Sequence, residues 1–544
     1  MAGAKYPWLE AARERYRRVS AEPLPANVMA LLREAASEAG DAPALHFIET
    51  GTERSYAALL EDVERLANGL RRIGVTHGGH VAVMAPNILE MPTTWLALAA
   101  IGAVMIPVNV RYTAFELDYL LTDGDATHLV IHESFLPLLD EIGETIAGLR
   151  AVVVIGDPGA DERVRWAELV AGSSSGFTPE AEPGLDDVLN VQYTSGTTGL
   201  PKGCLLTQRY WLACAKAYAA SDGLRYRRIL SGNPFFYMTP QWLMLMAFFQ
   251  RATHYVAPYL SLTQFTDWLR AYEIEFCWFP MDAMARRPRA EDHGPLSLVR
   301  GNLAIHRAEL HRELEERYGF PARAAFGMTE IGVGLMMPIE AAEFVGSGSC
   351  GIAGPFREVR IADPEGDDVP DGEKGELLIR GPGLFLGYYR KPDATKAAFH
   401  GDWFRSGDLA SRDADGFVTI HGRIKEMIRR AGENISATEV EAALLLVPGV
   451  AEAAVLPVPD AARGEEVKAY IVLEPGKTLR DVPPEAVIEH CSRRLAAFKT
   501  PRFIEYREAP LPRSTSGKVR KPALAQERAD LRQGSWDRLS GAWL

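Results

Sequence analysis

A large α/β body followed by a small α+β domain is the fold class this sequence predicts, and three observations predict it. The chain has 544 residues, room for three or four packed units at roughly 100–200 residues each. Helix-like and strand-like apolar patterns alternate through most of it, as expected for helices packed on largely parallel sheets. After about residue 345 the pattern changes to short strands between turn-rich stretches such as Asp363-Pro364-Glu365-Gly366-Asp367-Asp368, and an α+β pattern closes the chain. The predicted division is an N-terminal domain of α/β subdomains over 1–422, with a small β-rich subdomain at about 345–422, and a C-terminal α+β domain over 423–544.

In chain order, apolar residues at helical spacing predict a helix over 56–73, and residues 80–85 read as a short strand. Residues 95–103 are helical again. Residues 129–131 and 152–155 are strands, and the apolar run 188–193 is a buried strand. Short strands over 358–361, 375–380 and 416–421 are bounded by turn residues. Ser436-Ala-Thr-Glu439 fits a capping box that opens a helix running to about Leu446, because Ser at the N-cap and Glu three residues on can satisfy orphan backbone donors reciprocally. Strands over 450–458 and 467–473, a helix over 484–496 and a strand over 502–506 complete the last domain.

Lys plus Arg is 59 and Asp plus Glu 72, a net charge of −13. An acidic balance repels phosphate backbones, which argues against general nucleic-acid binding. An apolar fraction of 47% and a charged fraction of 24% exclude a mainly disordered chain. Cys204, Cys214, Cys277, Cys350 and Cys491 are scattered without C-x-x-C spacing, which argues against a disulfide framework or a zinc site. No His, Cys or carboxylate cluster has the spacing of a tightly held transition metal. The first residues lack the apolar stretch of a signal peptide, and the longest apolar run, 95–108, falls short of the ~20 residues that span a bilayer. A cytoplasmic protein without a membrane span is the expectation.

The most informative string is residues 193–203, Tyr-Thr-Ser-Gly-Thr-Thr-Gly-Leu-Pro-Lys-Gly, directly after the buried strand. Glycines let a backbone aim its N–H groups at one point, hydroxyls add donors, and Lys202 adds positive charge. Together they can cradle a polyphosphate. The string is not a Walker motif, since no glycine stands five residues before a Gly-Lys pair.

This string resembles the signature of the adenylate-forming superfamily, which takes in acyl-CoA synthetases, peptide-synthetase adenylation domains and luciferases. The resemblance runs over nearly the whole chain in the family's order. Residues 95–111 resemble an early structural motif. Phe326-Gly-Met-Thr-Glu330 is similar to the aromatic-Gly-Met-Thr-Glu motif and Trp403-Phe-Arg-Ser-Gly-Asp-Leu409 to the ribose segment. Gly422-Arg-Ile-Lys-Glu-Met-Ile428 resembles the interdomain hinge, and Pro512-Arg-Ser-Thr-Ser-Gly-Lys518 the segment of the catalytic lysine.

The resemblance implies a mobile C-terminal domain and an ATP-dependent carboxylic acid–CoA ligase, an acid–thiol ligase using ATP, Mg2+ and coenzyme A. Thr194, Ser195, Gly196, Thr197, Thr198, Gly199 and Lys202 would hold phosphates. Glu330 would hold magnesium, with Thr329 beside the α-phosphate. Phe326 would stack on adenine, and Asp408 and Arg423 would take the ribose or phosphate. Lys518 would neutralise charge that grows as the acid attacks. Lys425 would be the hinge, and Gly432 would leave room for the pantetheine arm. A basic excess over 491–522, including Arg493, Arg494, Lys499 and Arg520 against Glu505 and Glu508, supports a polyanion at the last domain.

Two places depart from the family pattern. Tyr237 stands where acyl-CoA synthetases commonly carry His, and the Asp that peptide-synthetase domains place there is absent. Asn302-Leu-Ala-Ile-His306 replaces a glycine-rich turn near the adenine. The implied acyl pocket comprises Tyr237, Thr239, Gln241, Asp282, His306, Gly332 and Gly334, a polar and aromatic set that points to a small or medium acid, aromatic or hydroxylated. The sequence continues about 25 residues past Lys518 without a carrier module, so free CoA is the expected acceptor. Loading a separate carrier protein and a degenerate nucleotide-binding regulator are the alternatives. The implied partners are a small-molecule acid, ATP and CoA, with no nucleic acid and no membrane span; a homodimer stays open.

Overall fold

The computed structural model describes residues 5–159, 163–194, 201–281, 294–304, 308–430, 433–461, 463–495, 497–514 and 517–544. They form two units, Met1–Val359 with Ile379–Phe404, and Arg360–Leu378 with Arg405–Leu544. The stretch expected to be β-rich is shared between the two, and Lys425 lies inside the second.

One sheet of the first unit runs in the order Val164–Arg165, Ala151–Ile155, His128–His132, His80–Met84, Val104–Pro107, Val188–Thr194 and Lys202–Thr207. Its strands are parallel until the last pair, which is antiparallel. The inner strands are almost wholly apolar because helices cover both faces of a parallel sheet. A second sheet orders Ser349–Ala353, Gly332–Met336, Ala322–Met328, Arg300–Leu303, Phe276–Trp278, Arg228–Ser231, Thr253–Val256, Pro43–Phe47 and Glu53–Ser55. It is parallel through its middle and antiparallel at both ends.

The helices Glu90–Ile101 and Met238–Gln250 are buried around most of their circumference, as an apolar pattern without a polar face requires. The first starts earlier than the predicted residue 95. Pro92 falls in its opening turn, where a missing N–H costs nothing. It stops at Gly102, whose φ is +78° and whose place against the His77 ring leaves no room for a side chain.

In the second unit a sheet orders Glu433–Ser436, Met427–Arg430, Gly464–Leu473, Phe503–Arg507, Trp536–Asp537 and Ala542–Trp543, with Val450–Asp460 also on Gly464–Leu473. Its core gathers Ile428, Val440, Leu444, Val467, Ile471 and Ile504. The strand Trp403–Arg412, which the sequence reading did not include, pairs with Val418–Arg423. The expected capping box is only half formed. Ser436 Oγ accepts from Glu439 N at 3.3 Å, but the Glu439 carboxylate pairs with Lys499 at 2.6 Å instead of returning to the N-cap. The helix expected over 484–496 is Pro484–Ser492.

Among the described residues no helix is long and apolar enough to cross a membrane. All five cysteines are buried and none is in a disulfide.

Candidate active site

The antiparallel pair Val188–Thr194 and Lys202–Thr207 places Thr194 opposite Lys202 and Tyr193 opposite Gly203. The two ends of the phosphate-binding string are thereby joined. Ser195, Gly196, Thr197, Thr198 and Gly199 lie outside the described residues, as do Asp282, His306 and Gly432. The joint is braced from the helix Ala114–Asp123. Tyr193 Oη donates to Asp123 at 2.8 Å, Tyr119 Oη donates to the Pro201 carbonyl at 2.9 Å, and Lys391 pairs with Asp123 at 2.7 Å.

Phe326 lies on Ala322–Met328 opposite Leu335, and the hairpin to Gly332–Met336 turns through Thr329 and Glu330. A side chain at Gly334 would press on Ile331 at 2.8 Å and on the Phe326 ring at 3.2 Å, so this glycine makes room for the aromatic. Gly332 has φ +65° and packs on Cys214 and Tyr210. The Glu330 carboxylate is buried and makes no ion pair among the described residues. Its Oε1 accepts from Tyr388 Oη at 2.9 Å. An ionisable carboxylate without a cation partner suits a hard metal ion, which takes oxygen ligands.

Beneath this turn the buried Arg357 donates to the carbonyls of Ile331, Val333, Phe356, Pro382 and Gly383 at 2.6 to 3.3 Å. Burial pulls its guanidinium down to about 10. Five donors in a fixed fork tie the Glu330 turn to the segment that leads to Tyr388.

On the acyl side, Tyr237 is the N-cap of Met238–Gln250, and Thr239 is half-buried in its first turn. Gln241 is fully buried. Its amide donates to the Phe235 and Tyr237 carbonyls at 3.1 and 3.2 Å and accepts from Asn190 at 3.0 Å. Gln241 thus shapes the turn that presents Tyr237 rather than offering a side chain of its own. Tyr218 and Trp242 stack at 4.2 Å, and the half-buried Trp278 stands edge-on to both at 6.3 Å. Trp278 lies opposite Asn302 in the sheet. Asn302 Nδ2 is buried and donates to nothing among the described residues.

The second unit supplies a separate group. Asp408 and Arg423 are register partners on adjacent strands, and Arg423 Nε pairs with Asp408 Oδ1 at 3.1 Å. Arg423 also donates to the Ser406 carbonyl at 2.7 Å, and Asp408 N donates to Ser406 Oγ at 3.0 Å. Asp408 is 4% exposed, and its Oδ2 is buried with no hydrogen-bond partner among the described residues. Burial raises its carboxyl to about 6, against the lowering charges of Arg423 and then Lys518. The exposed Lys518 ends a tight turn in which Ser514 N donates to the Lys518 carbonyl at 2.7 Å.

Lys425 falls in the 3-10 turn Ile424–Glu426; its side chain lies outside the described residues. Beyond it, Lys521 pairs with Glu426 at 2.7 Å and with Glu441 at 2.8 Å. Sequence reasoning missed Tyr388, Arg357 and Ser406, whose roles carry no spacing signal. Lys521 was counted in the basic excess expected to meet a polyanion, and here it pairs with two carboxylates of its own unit.

The family description "AMP-binding enzyme" matches residues 32–389, and "AMP-binding enzyme C-terminal domain" matches residues 439–518. A feruloyl-CoA synthase from Amycolatopsis is 34% identical over 87% of this chain and 93% of its own. A sulfoacetate–CoA ligase from Cupriavidus necator is 31% identical over 90% of this chain and 96% of its own. The crystal structure of ATP-bound MatB from Rhodopseudomonas palustris superposes with a TM-score of 0.82 at 27% identity, covering 93% of this chain and 100% of that one. Matches of this extent to both parts of the chain make it a member of the AMP-binding enzyme family, the adenylate-forming acyl-CoA synthetases, and an ATP-dependent ligase that joins a carboxylic acid to coenzyme A through an acyl-adenylate.

Proposed function

We propose that this ligase activates a small or medium aromatic acid, with Lys202, Thr329, Glu330, Asp408, Arg423 and Lys518 as the groups that hold and activate ATP. The observation that carries the acid class is the ring cluster of Tyr218, Trp242 and Trp278. Thr239 lies one turn before Trp242, and Cys214, which Gly332 touches, lies one turn before Tyr218. Two of the implied pocket positions, Thr239 and Gly332, thus lie on or against the helices that carry Trp242 and Tyr218. A long alkyl chain would need an aliphatic tunnel, whereas the half-buried Trp278 offers an aromatic face. The buried Nδ2 of Asn302 suits a polar substituent, since a buried donor left unpaired is costly. The relative named feruloyl-CoA synthase agrees with this class.

In the first half-reaction a carboxylate oxygen attacks the α-phosphorus and pyrophosphate leaves. Lys202 would meet the phosphates, and Lys518 the charge that develops at the α-phosphate. A magnesium ion at Glu330 would offset phosphate charge. In the second half-reaction the CoA thiol attacks the acyl carbonyl and AMP leaves. Lys425 would be the pivot between the two. Arg423 before it is tied to Asp408 and Ser406, and Glu426 after it is tied to Lys521, so free rotation is confined to the residues between these anchors. The site of action would be the cytoplasm.

Pyrophosphate release across an acid panel tests the acid class. Hydroxylated benzoic and cinnamic acids are expected to exceed decanoic and hexadecanoic acid by at least about tenfold in kcat/KM, with CoA required for thioester. A preference for hexadecanoic acid would overturn the reading.

Asp408 yields a pH prediction. Its folded carboxyl holds a proton up to about pH 6 against an ordinary value of 3.8. At pH 5 only about one-tenth of it is ionised, so ATP affinity should be about tenfold weaker there than at pH 7, relative to an Asp408→Asn protein measured alongside. The sign for stability is opposite. The folded state binds this proton more tightly than the unfolded chain, so the contribution is full below about pH 4 and is lost as pH rises through 6. Superimposable pH profiles of ATP binding in the two proteins would remove Asp408 from the ribose.

A further inference from the structure

We propose that Tyr388 is a positioning residue that keeps the Glu330 carboxylate and the Lys202 ammonium apart and available for metal and phosphate; the proposal rests on the roles given above to those two residues. Tyr388 reaches both of them. Its hydroxyl donates to Glu330 Oε1 at 2.9 Å, and Lys202 Nζ lies 5.0 Å from the centroid of its ring. Opposite charges at one site attract strongly when partly desolvated, yet Lys202 and Glu330 make no ion pair with each other or with any other described residue. The aromatic face holds the ammonium by cation–π attraction. The hydroxyl takes one lone pair of Oε1 and leaves Oε2 for a cation. Direct pairing of Lys202 with Glu330 would consume the charge that each has to present to the nucleotide.

The scaffold fixes the ring in this place. The segment before it runs antiparallel to Lys202–Thr207, with Leu386 N donating to Leu205 O at 2.9 Å and Tyr389 N donating to Gly203 O at 2.8 Å. Tyr388 N donates to Thr395 Oγ1 at 2.9 Å. That approach requires Gly387, at φ +141°, because a side chain there would lie 2.7 Å from Thr395 Cγ2. Phe385 packs edge-on against the Tyr388 ring at 5.0 Å, and its backbone N–H donates to the Glu330 carbonyl at 2.8 Å. Ring, hydroxyl and carboxylate are thus positioned by one short segment.

The test titrates Mn2+ into the full-length protein with a non-hydrolysable ATP analogue, reading bound metal by electron paramagnetic resonance. Nucleotide affinity without metal is measured in parallel by calorimetry. Tyr388→Phe keeps the ring and removes the hydroxyl. It should weaken Mn2+ binding about tenfold, the lower end for a lost metal-supporting hydrogen bond, and leave metal-free nucleotide affinity unchanged. Tyr388→Leu should weaken both, because Lys202 is then free to pair with Glu330. Glu330→Gln is the reference. Mn2+ affinity lost in Glu330→Gln but retained in Tyr388→Phe overturns the proposal while the role of Glu330 stands. Mn2+ affinity retained in Glu330→Gln overturns the metal assignment itself, and this proposal with it. Tyr388→Phe decides the matter even if the leucine variant does not fold.

Discussion

Lys518→Ala should lower pyrophosphate release from ATP and acid by on the order of 10²–10³-fold, the loss that follows removal of one donor aimed at developing charge. The same protein, given preformed acyl-adenylate and CoA, should still make thioester at a substantial rate. The asymmetry follows from where charge appears. Attack by a carboxylate on the α-phosphorus adds an anion to an already anionic centre, whereas thiol attack on the adenylate needs no cation at that phosphate. Lys518 is exposed on a turn whose φ of +82° is taken by Gly517, and its charge acts on Asp408. Nothing in this geometry makes it a packing residue, so the variant should fold normally. Equal losses in the two half-reactions would remove Lys518 from the adenylation step.

The parts of the fold with a regular apolar period were readable from the sequence. The helix Tyr56–Arg72 and the strands His80–Met84, His128–His132 and Ala151–Ile155 lie within a residue or so of the predicted ranges. Trp403–Arg412 was not, because polar Ser406 and Asp408 stand at buried positions of the strand and break the apolar alternation that a sequence reading follows. Of the candidate site, dense local strings drew the sequence reading, since donors and glycines crowded together have no packing explanation, and among the described residues the ends of one such string, Thr194 and Lys202, are register partners. Residues whose role depends on long-range pairing were not. Tyr388 meets Glu330 across 58 positions, and Arg357 acts through carbonyls, which no side-chain pattern reveals. Gln241 shows the opposite error. It stands next to pocket positions in sequence, but its helix turns it inward to Asn190.

The two half-reactions bring different nucleophiles to one site, and the central proposal is that the chain rearranges between them about Lys425. The turn Ile424–Glu426 is held on one side by Arg423 on Asp408 and on the other by Glu426 on Lys521. Lys518 and Asp408 belong to the same unit, and the charge of Lys518 acts on Asp408; the proposal takes this turn geometry as the one used for adenylation. Proline fixes φ at about −65°, within the range of a 3-10 turn, so Lys425→Pro should hold the chain in that arrangement. The decisive measurement compares Lys425→Pro with Lys425→Ala in each half-reaction separately. Pyrophosphate release should persist in both proteins. Thioester formation from preformed adenylate should fall on the order of 100-fold in the proline protein, the cost of misplaced reacting groups, and only slightly in the alanine protein. Matching losses in the two, or a proline protein that completes both half-reactions normally, would contradict the account.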